Sequence, residues 1–95
     1  MIVTGYNLGM DTSGGFGQYI RVPADWVVPL PKGLTSKEAS IYGVAGFTAA
    51  LSVNALKKQG IYPEDGDILV TGATGGVGSV SVALLAHLGY NVVAS

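Results

Sequence analysis

The stretch ILVTGATGGVGSVSVALLAHLGYNVVAS, Ile68 to Ser95, constrains this chain more tightly than any other feature. Ile68, Leu69 and Val70 run apolar without polar alternation, as in a parallel strand covered on both faces, and so predict a central strand. Gly75, Gly76 and Gly78 follow at once, and the residues after them are apolar except for Ser79, Ser81 and His87, which predicts a largely buried helix. Gly89 ends that helix, and Asn91 to Ala94 open a second strand. Strand, glycine turn and helix in this order suit a pyrophosphate. Glycine permits a tight turn with positive φ, the missing Cβ lets backbone approach phosphate, and the helix start offers unpaired N–H groups. Ala73 stands where G-x-G-x-x-G has its first glycine, giving A-T-G-G-V-G, so the flanking strand and helix carry more weight than the motif. No Gly-Lys-Ser/Thr follows the turn, which excludes a P-loop. Such a turn is read as a dinucleotide site.

Upstream the texture changes twice. From Met1 to about Gly33, the β-branched and aromatic runs MIVTG, GQYIRVP and DWVVPLP lie between turn residues, predicting short strands with Pro23, Pro29 and Pro31 at edges or ends. Thr35 and Glu38 then form a capping box that starts a helix. Gly43 and Gly46 are expected to break it. A second helix is predicted from about Phe47 to Gln59, with Lys57 and Lys58 matching the macrodipole in its last turn and Gly60 as the stop. PEDGD, Pro63 to Asp67, predicts a tight surface turn. Composition narrows the function classes. A chain of 95 residues at 48% hydrophobic can bury a modest core. Its five Lys and Arg are scattered and outnumbered by six acidic residues, so no nucleic-acid partner is expected. With no Cys, disulfides and thiolate metal ligands are ruled out. The apolar runs are interrupted by Gly, Ser or His and no basic n-region precedes them, so a cytoplasmic protein without a membrane partner is expected.

GGFGQYIRVPADWVVPLPKGLTSKEAS, then GVAGFTAALSVNAL, then DILVTGATGGVGS resemble, across essentially all 95 residues, the middle of medium-chain dehydrogenase/reductases. Within that superfamily the chain looks most like the zinc-free quinone oxidoreductase group and its acryloyl-CoA reductase-like branch, where YGVAGFTAAL and VTGATGGVGS are characteristic. TGATGGVG also fits the T-G-x-x-x-G-x-G of short-chain dehydrogenases, but those carry it at the start of the domain, whereas most of this chain precedes it. The resemblance implies an α/β fold: residues 1–33 as the end of a GroES-like β-rich catalytic domain, and residues 34–95 as linking helices and the first βαβ unit of a Rossmann-type nucleotide-binding domain. It implies that Thr48, in AGFTA, lies beside the nicotinamide, and that Ala73, Thr74, Gly75, Gly76, Val77 and Gly78 bind the cofactor at the pyrophosphate turn. In zinc-dependent relatives a cysteine ligand precedes that threonine by four residues; Val44 stands there, so no metal is expected.

The chemistry implied is hydride transfer from NADP(H) to the activated C=C bond of an acryloyl-CoA-like enoyl thioester, or to a quinone, by a homo-oligomer. NADP(H) also suits the absence of any acid between Gly78 and Ser95, the region where NAD enzymes carry one. A nucleotide-binding module without catalysis, or an interaction scaffold, remains the alternative. No catalytic residue is identified. Tyr6, Tyr19, Tyr42, Tyr62 and Tyr90 qualify by type alone and read better as packing or surface residues, as does Trp26. His87 suits the C-terminal end of its helix, and Tyr6-Asn7 reads as loop. The 95 residues are expected to be an internal piece, inactive alone, whose Ile68–Val70 strand exposes an apolar edge that recruits another chain.

Overall fold

The computed structural model describes all 95 residues, in two units, Met1–Ile41 and Tyr42–Ser95.

In the first unit, β1 (Ile2–Val3) pairs antiparallel with β2 (Val27–Val28), setting Ile2 opposite Val28 and Val3 opposite Val27. A single 3₁₀ turn, Ala24–Trp26, leads into β2. The Trp26 ring lies flat on Tyr6, with centroids 5.0 Å apart and planes 4° from parallel, so Trp26 packs as expected. The strand expected along GQYIRVP does not form. No neighbouring strand in this unit takes up its N–H and C=O groups, and Phe16 and Tyr19 stay exposed. DWVVPLP contributes only Val27–Val28, because Pro29 and Pro31 have no N–H to continue a ladder.

Helix α1 spans Ser36–Lys58. Its start is the predicted capping box: the Thr35 N–H donates to Glu38 Oε1 at 3.0 Å, and the Glu38 N–H donates to Thr35 Oγ1 at 3.1 Å. Gly43 breaks the helix as expected, at φ 54 and ψ −153, a conformation essentially reserved for glycine. Gly46 does not break it. It stays helical and buried because a Cβ there would sit 2.7 Å from Tyr42 Cβ, so its small size serves packing. The second segment therefore starts right after Gly43 rather than near Phe47. By length and composition α1 could cross a bilayer, contrary to the sequence expectation, although the Gly43 break leaves no straight helical run of the ~20 residues a span needs.

The second unit is built on β3 (Ile68–Val70) and β4 (Val92–Ala94), paired in parallel with Ile68 beside Val92, and joined by α2 (Gly76–His87). Its core is Val53 of α1, Leu85 of α2 and Tyr90, with Leu56, Ile61, Ile68, Val70, Leu84 and Val92 against them. Two matching corners feed it. At Gly60, φ 78, the Gly60 N–H donates to Lys57 O and the Ile61 N–H to Leu56 O, both at 3.1 Å. At Gly89, φ 92, the Gly89 N–H donates to Ala86 O and the Tyr90 N–H to Leu85 O, again at 3.1 Å. Both are Schellman motifs, which need a left-handed residue and fold the next apolar side chain back onto the helix. The Tyr90 hydroxyl donates to Ile61 O at 2.6 Å and ties one corner to the other. In the PEDGD turn, the Tyr62 N–H donates to Asp65 Oδ2 at 2.6 Å.

Within these 95 residues β3 pairs with β4 alone, which leaves the open edge expected of Ile68–Val70; α1 and α2 pack on the side of Ile68 and Val70, and Leu69 is 62% exposed. The expectation of a largely buried α2 is not met within these residues. Only Ser81 and Leu85 are buried, because the helix meets the sheet along one stripe.

Candidate functional site

The glycine turn begins where β3 ends. Gly72 takes φ 65, and its carbonyl accepts the Gly75 N–H at 3.0 Å. Gly75 is the N-cap of α2, with no side chain capping the helix, and its carbonyl accepts the Ser79 N–H at 2.8 Å. The N–H groups of Thr74, Gly76, Val77 and Gly78 find no backbone partner. No acidic residue occupies the first turn. The result is a cluster of outward-available donors at the positive end of a helix dipole, where an anion is favoured.

Each glycine has its own reason. A Cβ on Gly78 would overlap the Gly72 carbonyl oxygen and lie 2.8 Å from Gly72 C, so Gly78 lets the turn close on itself. A Cβ on Gly76 would lie 3.1 Å from Ala45 Cβ, so Gly76 lets α2 approach α1. A Cβ on Gly75 would lie 3.3 Å from Gly72 O, leaving no slack for a branched side chain. The backbone surface is thus bare enough for a pyrophosphate to reach the donors. Ala73 behaves differently: its N–H donates to Ser95 O at 3.1 Å and is occupied within the protein.

Thr48 lies one turn along α1 from Ala45, the residue in contact with Gly76. Its Oγ1 donates to Val44 O at 2.9 Å, and its side chain is exposed beside those of Val44 and Phe47. A cleft of about 500 Å³ runs from Gly75, Val77 and Gly78 along Leu69 and Val53 to Leu85. Thr48, Ala73, Thr74 and Gly76 do not line it. Its mainly apolar walls are shared by β3 and the helices α1 and α2 that pack against it, and its glycine end carries the backbone donors suited to phosphate.

The aromatic candidates disperse. Tyr90 is buried in the core, Tyr6 stacks on Trp26, and Tyr19 and Tyr62 are exposed. Tyr42 and His87 share a second hollow of about 400 Å³ between α1 and α2, lined otherwise by small and aliphatic residues. None of these side chains borders the cleft at the glycine turn. Sequence reading missed Gly72, Ala45 and Ser95. Gly72 carried a usable signal, a glycine two residues after an apolar strand, whereas Ala45 and Ser95 matter only through partners far along the chain.

No family model matches the chain. The protein YhfP of Bacillus subtilis, which carries a quinone oxidoreductase name, is 57% identical over 95 residues, 100% of this chain and 29% of its own length. The acrylyl-CoA reductase AcuI of Ruegeria pomeroyi is 53% identical over 94 residues, 99% of this chain and 28% of that protein. The crystal structure of the yhdH oxidoreductase from Salmonella enterica in complex with NADP superposes with a TM-score of 0.91 at 54% identity, covering 97% of this chain and 28% of that one. This chain therefore spans less than a third of the length of the relatives it matches. Along its whole length it is a homologue of one stretch of these quinone oxidoreductase and acrylyl-CoA reductase proteins of the medium-chain dehydrogenase/reductase superfamily.

Proposed function

We propose that the protein carrying this segment is a zinc-independent NADP(H)-dependent oxidoreductase that reduces the activated C=C bond of an enoyl thioester such as acryloyl-CoA, or a quinone. The observation that carries this is the bare glycine turn with four unpartnered N–H groups, in a chain more than half identical to relatives with those names. When bound, the reduced nicotinamide supplies the hydride. Thr74, Gly76, Val77 and Gly78 hold the pyrophosphate through their N–H groups, and the Gly76–Ala45 contact sets the position of α1 and Thr48 against that anchor. The Thr48 hydroxyl already donates to Val44 O, so only acceptor capacity remains, which suits a carboxamide N–H. Val44, in place of a cysteine, has no ligand atom for zinc, so carbonyl polarisation falls to protein groups rather than a Lewis acid.

On the same reading residues 1–33 end a GroES-like catalytic domain, residues 34–95 begin the nucleotide-binding domain, and the whole is a cytoplasmic homo-oligomer. The test is turnover of acryloyl-CoA and of a quinone by the full-length protein with reduced cofactor, together with Gly75→Val. The variant is expected to raise the cofactor Kd at least about tenfold, roughly 1.4 kcal/mol, with the fold retained. Unchanged affinity in a folded variant overturns the assignment of the turn, and stoichiometric zinc in active enzyme overturns the reading of Val44.

A further inference from the structure

We propose that Asp65–Gly66 is a site of spontaneous backbone modification, where the chain rearranges through a succinimide to isoaspartate, and that the hydrogen bond from the Tyr62 N–H to Asp65 holds this reaction back. The turn itself dictates both residues of the pair. Gly66 takes φ 132 and ψ −172, a region essentially closed to residues with a Cβ. A Cβ there would meet no atom within 4 Å, so backbone conformation rather than space demands glycine. Asp65 supplies the other half of the turn. Its N–H donates to Tyr62 O at 2.9 Å and its Oδ2 accepts the Tyr62 N–H at 2.6 Å, closing the short 3₁₀ turn Pro63–Asp65 on itself.

The requirements of the fold thus create a reactive dipeptide. In the rearrangement the Gly66 nitrogen bonds to Asp65 Cγ, and the carboxyl OH leaves with the amide hydrogen as water. Water then adds to either carbonyl of the five-membered ring and opens it, giving Asp again or an isoaspartate whose chain runs through the β-carbon. No oxidant or cofactor is consumed. A side chain on the attacking residue hinders ring closure, and Gly66 has none. No other Asp or Asn among the 95 residues precedes a glycine. Asp65 and Gly66 are exposed to water, and the Gly66 N–H has no backbone partner, so nothing engages the nucleophile. The electrophile is what the turn engages: the Tyr62 bond directs the Asp65 carboxyl three residues back along the chain rather than to the Gly66 nitrogen. Isomerisation would break that bond and add a methylene to the backbone between Ile61, whose carbonyl holds the Tyr90 hydroxyl, and β3.

The experiment ages the full-length protein at physiological temperature, folded and in urea, and locates isoaspartate by peptide mapping and by methyl transfer from S-adenosylmethionine with a protein isoaspartate methyltransferase. Isoaspartate is expected at position 65 in both samples, accumulating at least about tenfold more slowly in the folded protein, where the turn must first open. Asp65→Glu would need a six-membered ring and should yield none, whereas Asp65→Asn, which loses ammonia instead of water, should yield isoaspartate faster in urea. Tyr62→Pro removes the donor of the protecting bond and should raise the rate in the folded protein toward the urea value. If unfolded protein forms no isoaspartate at position 65, the site is overturned. If folded and unfolded protein react equally fast, or a folded Tyr62→Pro variant reacts no faster than the native protein, the Tyr62 bond is not what restrains it.

Discussion

Met1–Ile41 and Tyr42–Ser95 solve the problem of reversing a chain in different ways. In Tyr42–Ser95 every positive φ falls on glycine: Gly43, Gly60, Gly66, Gly72 and Gly89. In Met1–Ile41 two fall on Tyr6 and Asp11, side-chain-bearing residues for which the left-handed region is uncommon. The first unit offsets that strain with a ring stack and holds its ends with a two-residue ladder and a capping box. The second joins its corners to a common core through Leu56 and Ile61 at one and Leu85 and Tyr90 at the other. Strain-free corners that each deliver an apolar side chain to the same core make a unit that should unfold cooperatively; local devices make one that should yield piecemeal.

The contrast is broken hardest at Leu85, 2% exposed at the centre of the core. Leu85→Ala should destabilise Tyr42–Ser95 by about 3 kcal/mol, seen in a urea transition followed by amide NMR. Signals of Met1–Ile41 shifting along with it would show one cooperative body rather than two. Gly78→Ala comes next: its methyl group would overlap the Gly72 carbonyl, so a loss of about 2 kcal/mol and weakened nucleotide binding are expected together. Full stability and full binding would mean that the turn closes differently. Tyr90→Phe leaves Ile61 O without its donor and should cost about 1 kcal/mol, with exchange of the Ile61 and Tyr90 amides quickened, since this hydroxyl links the two corners.

The smallest effect sharpens the other side of the comparison. Glu38 has its carboxyl held below 4.5, first by the Thr35 N–H and then by the Thr35 hydroxyl. Below that value the unfolded chain takes up the proton before the folded one does. The contribution of Glu38 is therefore complete above about pH 4.5 and fades as pH falls through the depressed folded value. Amide shifts at the start of α1 should follow this titration, and Glu38→Gln should abolish it while leaving the Tyr42–Ser95 core unmoved.

Much of this could be read from residues close together in the chain. The capping box of Thr35 and Glu38 forms as predicted because both bonds span three residues. The stops at Gly60 and Gly89 form because a Schellman corner is closed by bonds spanning three and five. GQYIRVP misled because β-rich composition describes a side-chain surface, and a strand also needs a neighbour to take its hydrogen bonds. Gly46 misled because a glycine in a helical run can answer a packing need, here the Tyr42 ring, as well as a break.

Sequence by itself therefore determined the order strand, glycine turn, helix and strand, the helix starts and stops, and the presence of free donors at Thr74 and Gly76–Gly78, since these depend on bonds made or left unmade within a few residues. Tertiary structure alone decided which face of β3 is covered, that Gly76 answers to Ala45, and that the Ala73 N–H is taken by Ser95. Each of these joins residues a dozen or more positions apart, where nothing in the local pattern names the partner and only the packing of α1, α2 and the strand pair brings it into contact.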